Sequence, residues 1–302
     1  MNCHIFLHST TGNTRLVTEH TAKRMEGAGW KVTVQDIAET PSPPSSDDLK
    51  AIQLLGVACP SMYFRPSPVM ERFIHRLPGA PKKTPAFLLG TGGGEPGAHF
   101  DLLAEFLAHK DIIALGASFT PFINNWPPHR AVAEKIPGAG SLARLLDHLF
   151  PGHRPKLHWF WPLIGEPTLK ERSLLDTFLD EMMERATNGK LEDAPAPSKL
   201  FHAAYATKAI GRLLTPDKMR LSAALRIDAD RCNRCGVCIQ VCPVGCLERA
   251  HGDAVPEFGP DCTACWTCFQ KCPEQAISGL ISPHGSFSYP GPSKEVKRLF
   301  RG

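Results

Sequence analysis

No apolar run in this chain approaches the roughly twenty residues needed to cross a bilayer. The N-terminus carries no basic stretch, and its apolar run "CHIFL" is short and ends in a polar turn, so no secretory leader is expected. Charge of one sign is also scarce. The formal net charge is +4, spread along 302 residues, which leaves no footprint for nucleic acid or an anionic membrane. The triphosphate-binding pattern G-x-x-x-x-G-K-[ST] is missing, and so is a G-x-G-x-x-G after the first strand. The thirteen His form no H-E-x-x-H, and spacing alone supports no Ser-His-Asp arrangement.

Cysteine is what the chain does have. Nine of its eleven Cys fall between Cys232 and Cys272. An unexported chain is expected in the cytoplasm, a reducing compartment where clustered cysteines bind metal rather than form disulfides. The segment "CNRCGVCIQVCP" places Cys232, Cys235, Cys238 and Cys242 before Pro243. Thirty residues on, "CTACWTCFQKCP" places Cys262, Cys265, Cys268 and Cys272 before Pro273. Each run is C-x2-C-x2-C-x3-C-P, in which three thiolates hold one cubane and the fourth reaches the other. The spacing therefore assigns Cys232, Cys235, Cys238 and Cys272 to one [4Fe–4S] cluster. Cys262, Cys265, Cys268 and Cys242 go to a second. Structural zinc sites instead separate their C-x2-C pairs by a long spacer. Over about sixty residues this segment resembles the bacterial two-cluster ferredoxins. Cys246 has Ala276 as its counterpart in the repeat, which gives it a packing position in the same turn.

The length suggests two domains. Strand-like runs at Lys31–Ile37, Ala51–Ala58, Thr84–Thr91 and Asp111–Phe119 alternate with helical runs "ERFIHRL" and "HFDLLAEFLAH". Near-continuous apolar strands between amphipathic helices indicate a parallel sheet covered on both faces. Residues 120–168 are rich in Pro and aromatics, with a helix expected at "SLARLLDHLF" and another beyond them at "SLLDTFLDEMMERA". The domains are read as 1–190, a linker and connecting helix over 191–224, a cysteine domain over 225–285, and a tail over 286–302 that is mobile or laid over the surface.

The turn "HSTTGNT", His8 to Thr14, joins the first strand to a helix with Leu16, Val17, Thr21, Met25 and Ala28 on one side. A hydroxyl-rich turn at a helix N-terminus suits an anion, and the missing Lys and glycines leave a single terminal phosphate. Ser9, Thr10, Thr11, Gly12, Asn13 and Thr14 resemble the FMN-phosphate loop of the flavodoxins, T-x-T-G-N-T, with Ser9 at the place of the first Thr. The resemblance covers roughly residues 1–120, with a possible extension to 188. It implies a flavodoxin-like α/β fold, a doubly wound parallel five-stranded sheet with FMN at the carboxyl ends of its strands. It also implies ring contacts from the loop Pro60, Ser61, Met62, Tyr63 and Phe64, with Tyr63 or Phe64 stacking on the isoalloxazine and the other free to join the core. A ring edge at Thr91, Gly92, Gly93 and Gly94 follows as well. Gly92, Gly94 and Gly97 spell G-x-G-x-x-G, but on the wrong strand and with no acid about twenty residues on. "NNWPPHR", with Trp126 and His129, and the cluster Trp159, Phe160 and Trp161 are weaker candidates.

The whole resembles a flavodoxin-like domain fused to a small α+β two-cluster ferredoxin. The expected role is electron transfer between FMN and two [4Fe–4S] clusters, with redox proteins or a small-molecule acceptor as partners. Two alternatives stay open: a flavin-dependent oxidoreductase acting on a quinone, nitro compound or porphyrinogen, and a cluster-binding interaction module that holds no flavin.

Overall fold

The structure is a computed structural model and describes residues 1–122, 166–188, 194–280, 282, 284 and 288–302. The helix expected at "SLARLLDHLF", the "NNWPPHR" loop with Trp126 and His129, and the Trp159–Trp161 cluster lie outside the described residues.

The N-terminal part runs β1 (Asn2–Leu7), α1 (Asn13–Gly27), β2 (Lys31–Asp36), α2 (Ser46–Lys50), β3 (Leu54–Met62), β4 (Arg65–Pro66), α3 (Pro68–Arg76), β5 (Thr84–Gly92), α4 (His99–Ala108) and β6 (Ile112–Pro121). Five strands pair in the order β2-β1-β3-β5-β6, and every pair among them is parallel. Counting only parallel strands this is 2-1-3-4-5, the flavodoxin-like order, whose switch point lies between the first and third strands. The two-residue β4 folds back antiparallel on the end of β3 and was not visible in the sequence pattern.

Period-2 alternation divides the apolar residues between two cores. Phe6, Leu55, Val57 and Leu88 face a cluster with Phe73, Ile74, Leu103 and Leu107. Cys3, Ile5, Leu7, Phe87 and Leu89 face the other, with Leu16, Val17 and Met25. Ala28, expected on the buried side of α1, is exposed because the helix ends at Gly27. The helix α5 (Leu169–Thr187) adds Leu175, Leu179 and Met182 to the second core. It starts four residues earlier than its apolar pattern indicates because Thr168 and Glu171 form a capping box.

The connecting segment is not one helix. It contains α6 (Tyr205–Leu213) and α7 (Pro216–Ala223), separated where Pro216 takes the first helical position of the second. The cysteine domain then follows with β7 (Arg226–Ile227), α8 (Val237–Gln240), β8 (Leu247–Glu248), β9 (Glu257–Phe258), α9 (Thr267–Lys271) and β10 (Ile277–Ser278). β7 pairs antiparallel with β10, and β8 with β9. The repeat extends to the backbone. Positive φ recurs at Arg234 and Ala264, at Gly236 and Trp266, and at Gly245 and Gln275, each pair thirty apart.

The tail ends in α10 (Lys294–Arg301), capped by Ser293, whose hydroxyl accepts from the Val296 amide at 3.2 Å. Val296 and Phe300 are buried in the second core. A segment read from sequence as mobile or laid over the surface thus contributes to the interior, through the i, i+4 spacing of these two side chains.

Candidate functional site

The carboxyl ends of β1, β3 and β5 bring together the three loops singled out from sequence. Gly12 stands at φ +95° immediately before α1, a conformation that only glycine adopts freely. Ser9 Oγ accepts from the amides of Gly12 (3.2 Å) and Arg15 (3.3 Å), which shapes the turn. α1 has no acidic residue in its first turn and its N-cap, Gly12, has no side chain, so the first-turn amides that Ser9 does not take are left for an outside anion. Thr11, Asn13 and Thr14 are buried, whereas Ser9, Thr10 and Gly12 are half-buried. His8 is fully buried and bonds Ser67 Oγ through Nδ1 at 2.8 Å. Burial pushes its pKa down to about 4, so the turn holds no cation of its own at neutral pH.

Thr14 Oγ1 lies 2.8 Å from Thr91 Oγ1, linking this turn to the end of β5. Thr91 is in register with Pro60, and a methyl on Gly92 would meet Phe119 at 3.2 Å and the Ser61 Cβ at 3.5 Å. Gly93 and Gly94 follow as a half-buried turn. Gly97, the third glycine of the G-x-G-x-x-G match, has a packing task instead. A Cβ there would stand 2.4 Å from the Phe64 Cβ and 2.8 Å from the carbonyl oxygens of Phe64 and Thr207.

Tyr63 and Phe64 join β3 to β4 as a two-residue hairpin turn, with φ of 54° and 64°. Two positive φ values are what a type I′ turn needs, but non-glycine residues there carry roughly 1–2 kcal/mol of strain each. Contacts from three directions hold the turn. The Phe64 carbonyl accepts from the Ala98 amide at 2.8 Å. Arg65 next to it is buried, forms a bidentate pair with Glu71 (2.6 and 2.7 Å), and donates to the Leu214 carbonyl at 2.6 Å. Finally, Trp266 Nε1 donates to the Tyr63 hydroxyl at 3.2 Å.

Trp266 lies between Cys265 and Cys268, in left-handed backbone (φ 61°) where the other half of the repeat has Gly236. A buried indole in such a conformation persists only when its surroundings fix it. Gly279 makes room, since a Cβ there would be 2.5 Å from Trp266 Cη2. Met62 and Tyr63 pack on the Trp266 core, while Cys265 and Val244 reach the core of the sheet.

The eight cysteines of the repeat divide between two cavities. Cys232, Cys235, Cys238 and Cys272 line one, together with Ile227, Val237 and Ile277. Cys242, Cys262, Cys265 and Cys268 line the other, together with Leu225, Leu247, Phe258 and Trp266. Each set contains three members of one run and the fourth of the other. Among the described residues no three such side chains converge as a single metal ion requires. The thiols instead ring a space with apolar walls, a donor set that fits an iron–sulfur cluster. Cys235 is exposed, whereas Cys265 and Cys268 are buried. Cys246 lines the second cavity as well, and its thiol hydrogen bond lowers the pKa of both Cys242 and Cys262.

The sequence reading overlooked the covering of the His8–Thr14 turn. Tyr289 donates from its hydroxyl to Asn13 Oδ1 at 3.1 Å, and its amide donates to Gln270 Oε1 at 2.7 Å. Gly291 and Pro292 lie against Thr11 and Gly12. The tail thereby bridges α9 and the turn. The signal available was a lone Tyr in a Pro/Gly-rich stretch.

The family model of the 4Fe-4S dicluster domain matches residues 224–273. Pyruvate synthase subunit PorD of Methanothermobacter marburgensis is 38% identical over 52 residues, 17% of this chain and 58% of that protein. The chain thus spans little more than half the length of that relative. A ferredoxin of Methanothermococcus thermolithotrophicus is 33% identical over 57 residues, covering 18% of this chain and 95% of the ferredoxin. Similar solved structures include the two-electron reduced flavodoxin of Megasphaera elsdenii, 22% identical with a TM-score of 0.33, over 39% of this chain and 85% of that one. A flavodoxin from the domain Archaea is 15% identical with a TM-score of 0.39, over 62% and 99%.

Proposed function

The chain belongs to the ferredoxins through its 4Fe-4S dicluster domain and joins that unit to a flavodoxin-like domain, and from this premise we propose that it carries electrons between FMN and two [4Fe–4S] clusters. The observation that carries the reading is the hydrogen bond from Trp266 to Tyr63, because it ties the loop after β3 to the cysteine run. Bound FMN exchanges one or two electrons and each cubane one, so the set interconverts two-electron and one-electron chemistry.

The residues of the chain have separable tasks. The α1 N-terminus and the hydroxyls of Ser9, Thr10, Thr11 and Thr14 hold the FMN phosphate. Asn13 turns its carbonyl oxygen to Tyr289, which leaves its amide hydrogens for the anion. Pro60 to Phe64 border one side of the ring, and the small residues Thr91 to Gly94 let backbone amides approach its edge. Cys242, Cys262, Cys265 and Cys268 hold the cluster nearer the flavodoxin-like domain, since Cys265 packs with that domain's core. Cys232, Cys235, Cys238 and Cys272 hold the outer one. The exposed Cys235 marks where a redox protein gives or takes electrons, with a small acceptor as the other class of partner. No helix among the described residues is long and apolar enough to cross a membrane. Free buried thiols and a cluster site suit the reducing cytoplasm.

Anaerobic illumination with EDTA as sacrificial donor tests the route. The wild-type chain should lose its cluster absorbance near 400 nm, and the Asn13→Asp variant, with iron intact, should lose it at least tenfold more slowly. Equal rates would remove the flavin from the route. Saturable turnover of one small acceptor, with the clusters only feeding the flavin, would replace the carrier by a catalyst.

A further inference from the structure

The thirty-residue repeat permits the two cysteine cavities to be compared atom for atom. A hydrogen bond at the fourth cysteine of each run is common to both. The Cys246 amide donates to Cys242 Sγ at 3.3 Å, and the Ala276 amide donates to Cys272 Sγ at 3.3 Å. Side-chain contacts to Cys265 and Cys242 occur only in the inner cavity. Thr267 Oγ1 lies 3.3 Å from Cys265 Sγ, where the other half has Val237 and no hydroxyl. Cys246 Sγ lies 3.5 Å from Cys242 Sγ, where the other half has Ala276 and no thiol. The runs are otherwise matched in spacing and in backbone conformation.

Once Cys242 and Cys265 are thiolate ligands they can only accept, so Cys246 and Thr267 must be the donors. A donor to a cluster sulfur is attracted more strongly after the cluster gains an electron, because reduction adds negative charge there. It therefore favours the reduced form and raises the reduction potential. Burial of Cys265 and Cys268 acts in the opposite sense, because a buried site disfavours added charge. The side-chain donors offset a penalty that is smaller in the outer cavity, where Cys238 alone of the four is buried.

Resting on the two-cluster reading above, we propose that Thr267 and Cys246 are positioning residues that raise the potential of the inner cluster relative to the outer one. Neither is a ligand. Through Cys265 and Cys242 they set how an electron is shared between the cluster facing the flavodoxin-like domain and the cluster facing a partner. Thr267→Val and Cys246→Ala install the residues that the other half already tolerates, and Val237→Thr is the reciprocal change.

EPR-monitored redox titration of the anaerobic full-length holoprotein reads the effect. Thr267→Val and Cys246→Ala should each lower the same one of the two midpoints, and the double variant should lower it further. The combined change should shift the electron's distribution between clusters at least tenfold, equivalent to 59 mV for one electron. Val237→Thr should raise the other midpoint. Iron content should stay unchanged in all variants. Two clusters with midpoints that none of these changes moves would overturn the inference alone, as would a shift in the midpoint that Val237→Thr raises. A wild-type chain that loads a single cluster or none would overturn the two-cluster reading and this inference with it.

Discussion

Gly211→Ala sets local helix preference against the packing around the strained turn. Gly211 lies within α6, where replacing glycine by alanine gains about 1 kcal/mol from helix propensity alone. Packing acts in the opposite direction. A Cβ at this position would stand 2.1 Å from the Phe64 carbonyl oxygen and 3.1 Å from the Ala98 Cβ. Pushing the backbone apart costs about 1–3 kcal/mol as overpacking. The same displacement stretches the hydrogen bond from Arg65 to the Leu214 carbonyl, 2.6 Å long, and such charged bonds contribute about 1.5–3 kcal/mol. The balance is a loss of about 1.5–5 kcal/mol, or roughly 3–20 °C in the unfolding midpoint of the N-terminal domain. Gly27→Ala is the control: it also sits in a helix, and no atom lies within 4 Å of its added methyl. Calorimetry on the full chain reads both. A Gly211→Ala protein as stable as wild type, or more so, would refute the account of how the Tyr63–Phe64 turn is held.

Asn13→Asp or Thr11→Glu should expel FMN by placing a carboxylate against its phosphate while iron stays bound, and Cys238→Ala should do the converse; released flavin and iron assays check both. Tyr289→Phe removes one hydrogen bond to Asn13, worth about 1 kcal/mol, and should weaken FMN binding roughly fivefold in a fluorescence titration. Burial pushes His8 and His99 down to about 4, while the unfolded chain protonates them near 6.5. Their contribution to stability is therefore complete above pH 6.5 and is lost as pH falls toward 4, by up to about 3 kcal/mol each. Denaturant titrations across that range should show the decline, and His8→Asn should reduce it.

Local patterns carried much of this structure. Apolar strands alternating with amphipathic helices disclosed the parallel sheet, because both faces of each inner strand are buried. The cysteine spacing disclosed which four thiols share a cavity, since the repeat itself encodes the exchange of the fourth member. What escaped depends on contacts between distant segments. Nothing near Tyr63 announces that its hydroxyl meets Trp266, 203 residues away. Two consecutive left-handed residues without glycine contradict local turn preferences and become legible only beside Gly97 and Gly211, whose missing side chains admit them. The same holds for Tyr289, which lies in a stretch whose composition suggests mobility, and for Val296 and Phe300, which an adjacent core takes up.

Anaerobic quantitation of iron, acid-labile sulfide and released flavin on the full chain, with an absorption spectrum, tests the central claim most directly. The account predicts about eight iron and eight sulfide per chain, one FMN, and a broad charge-transfer band near 400 nm. Zinc in place of iron, about four iron per chain, or a fully iron-loaded protein that releases no FMN would contradict it.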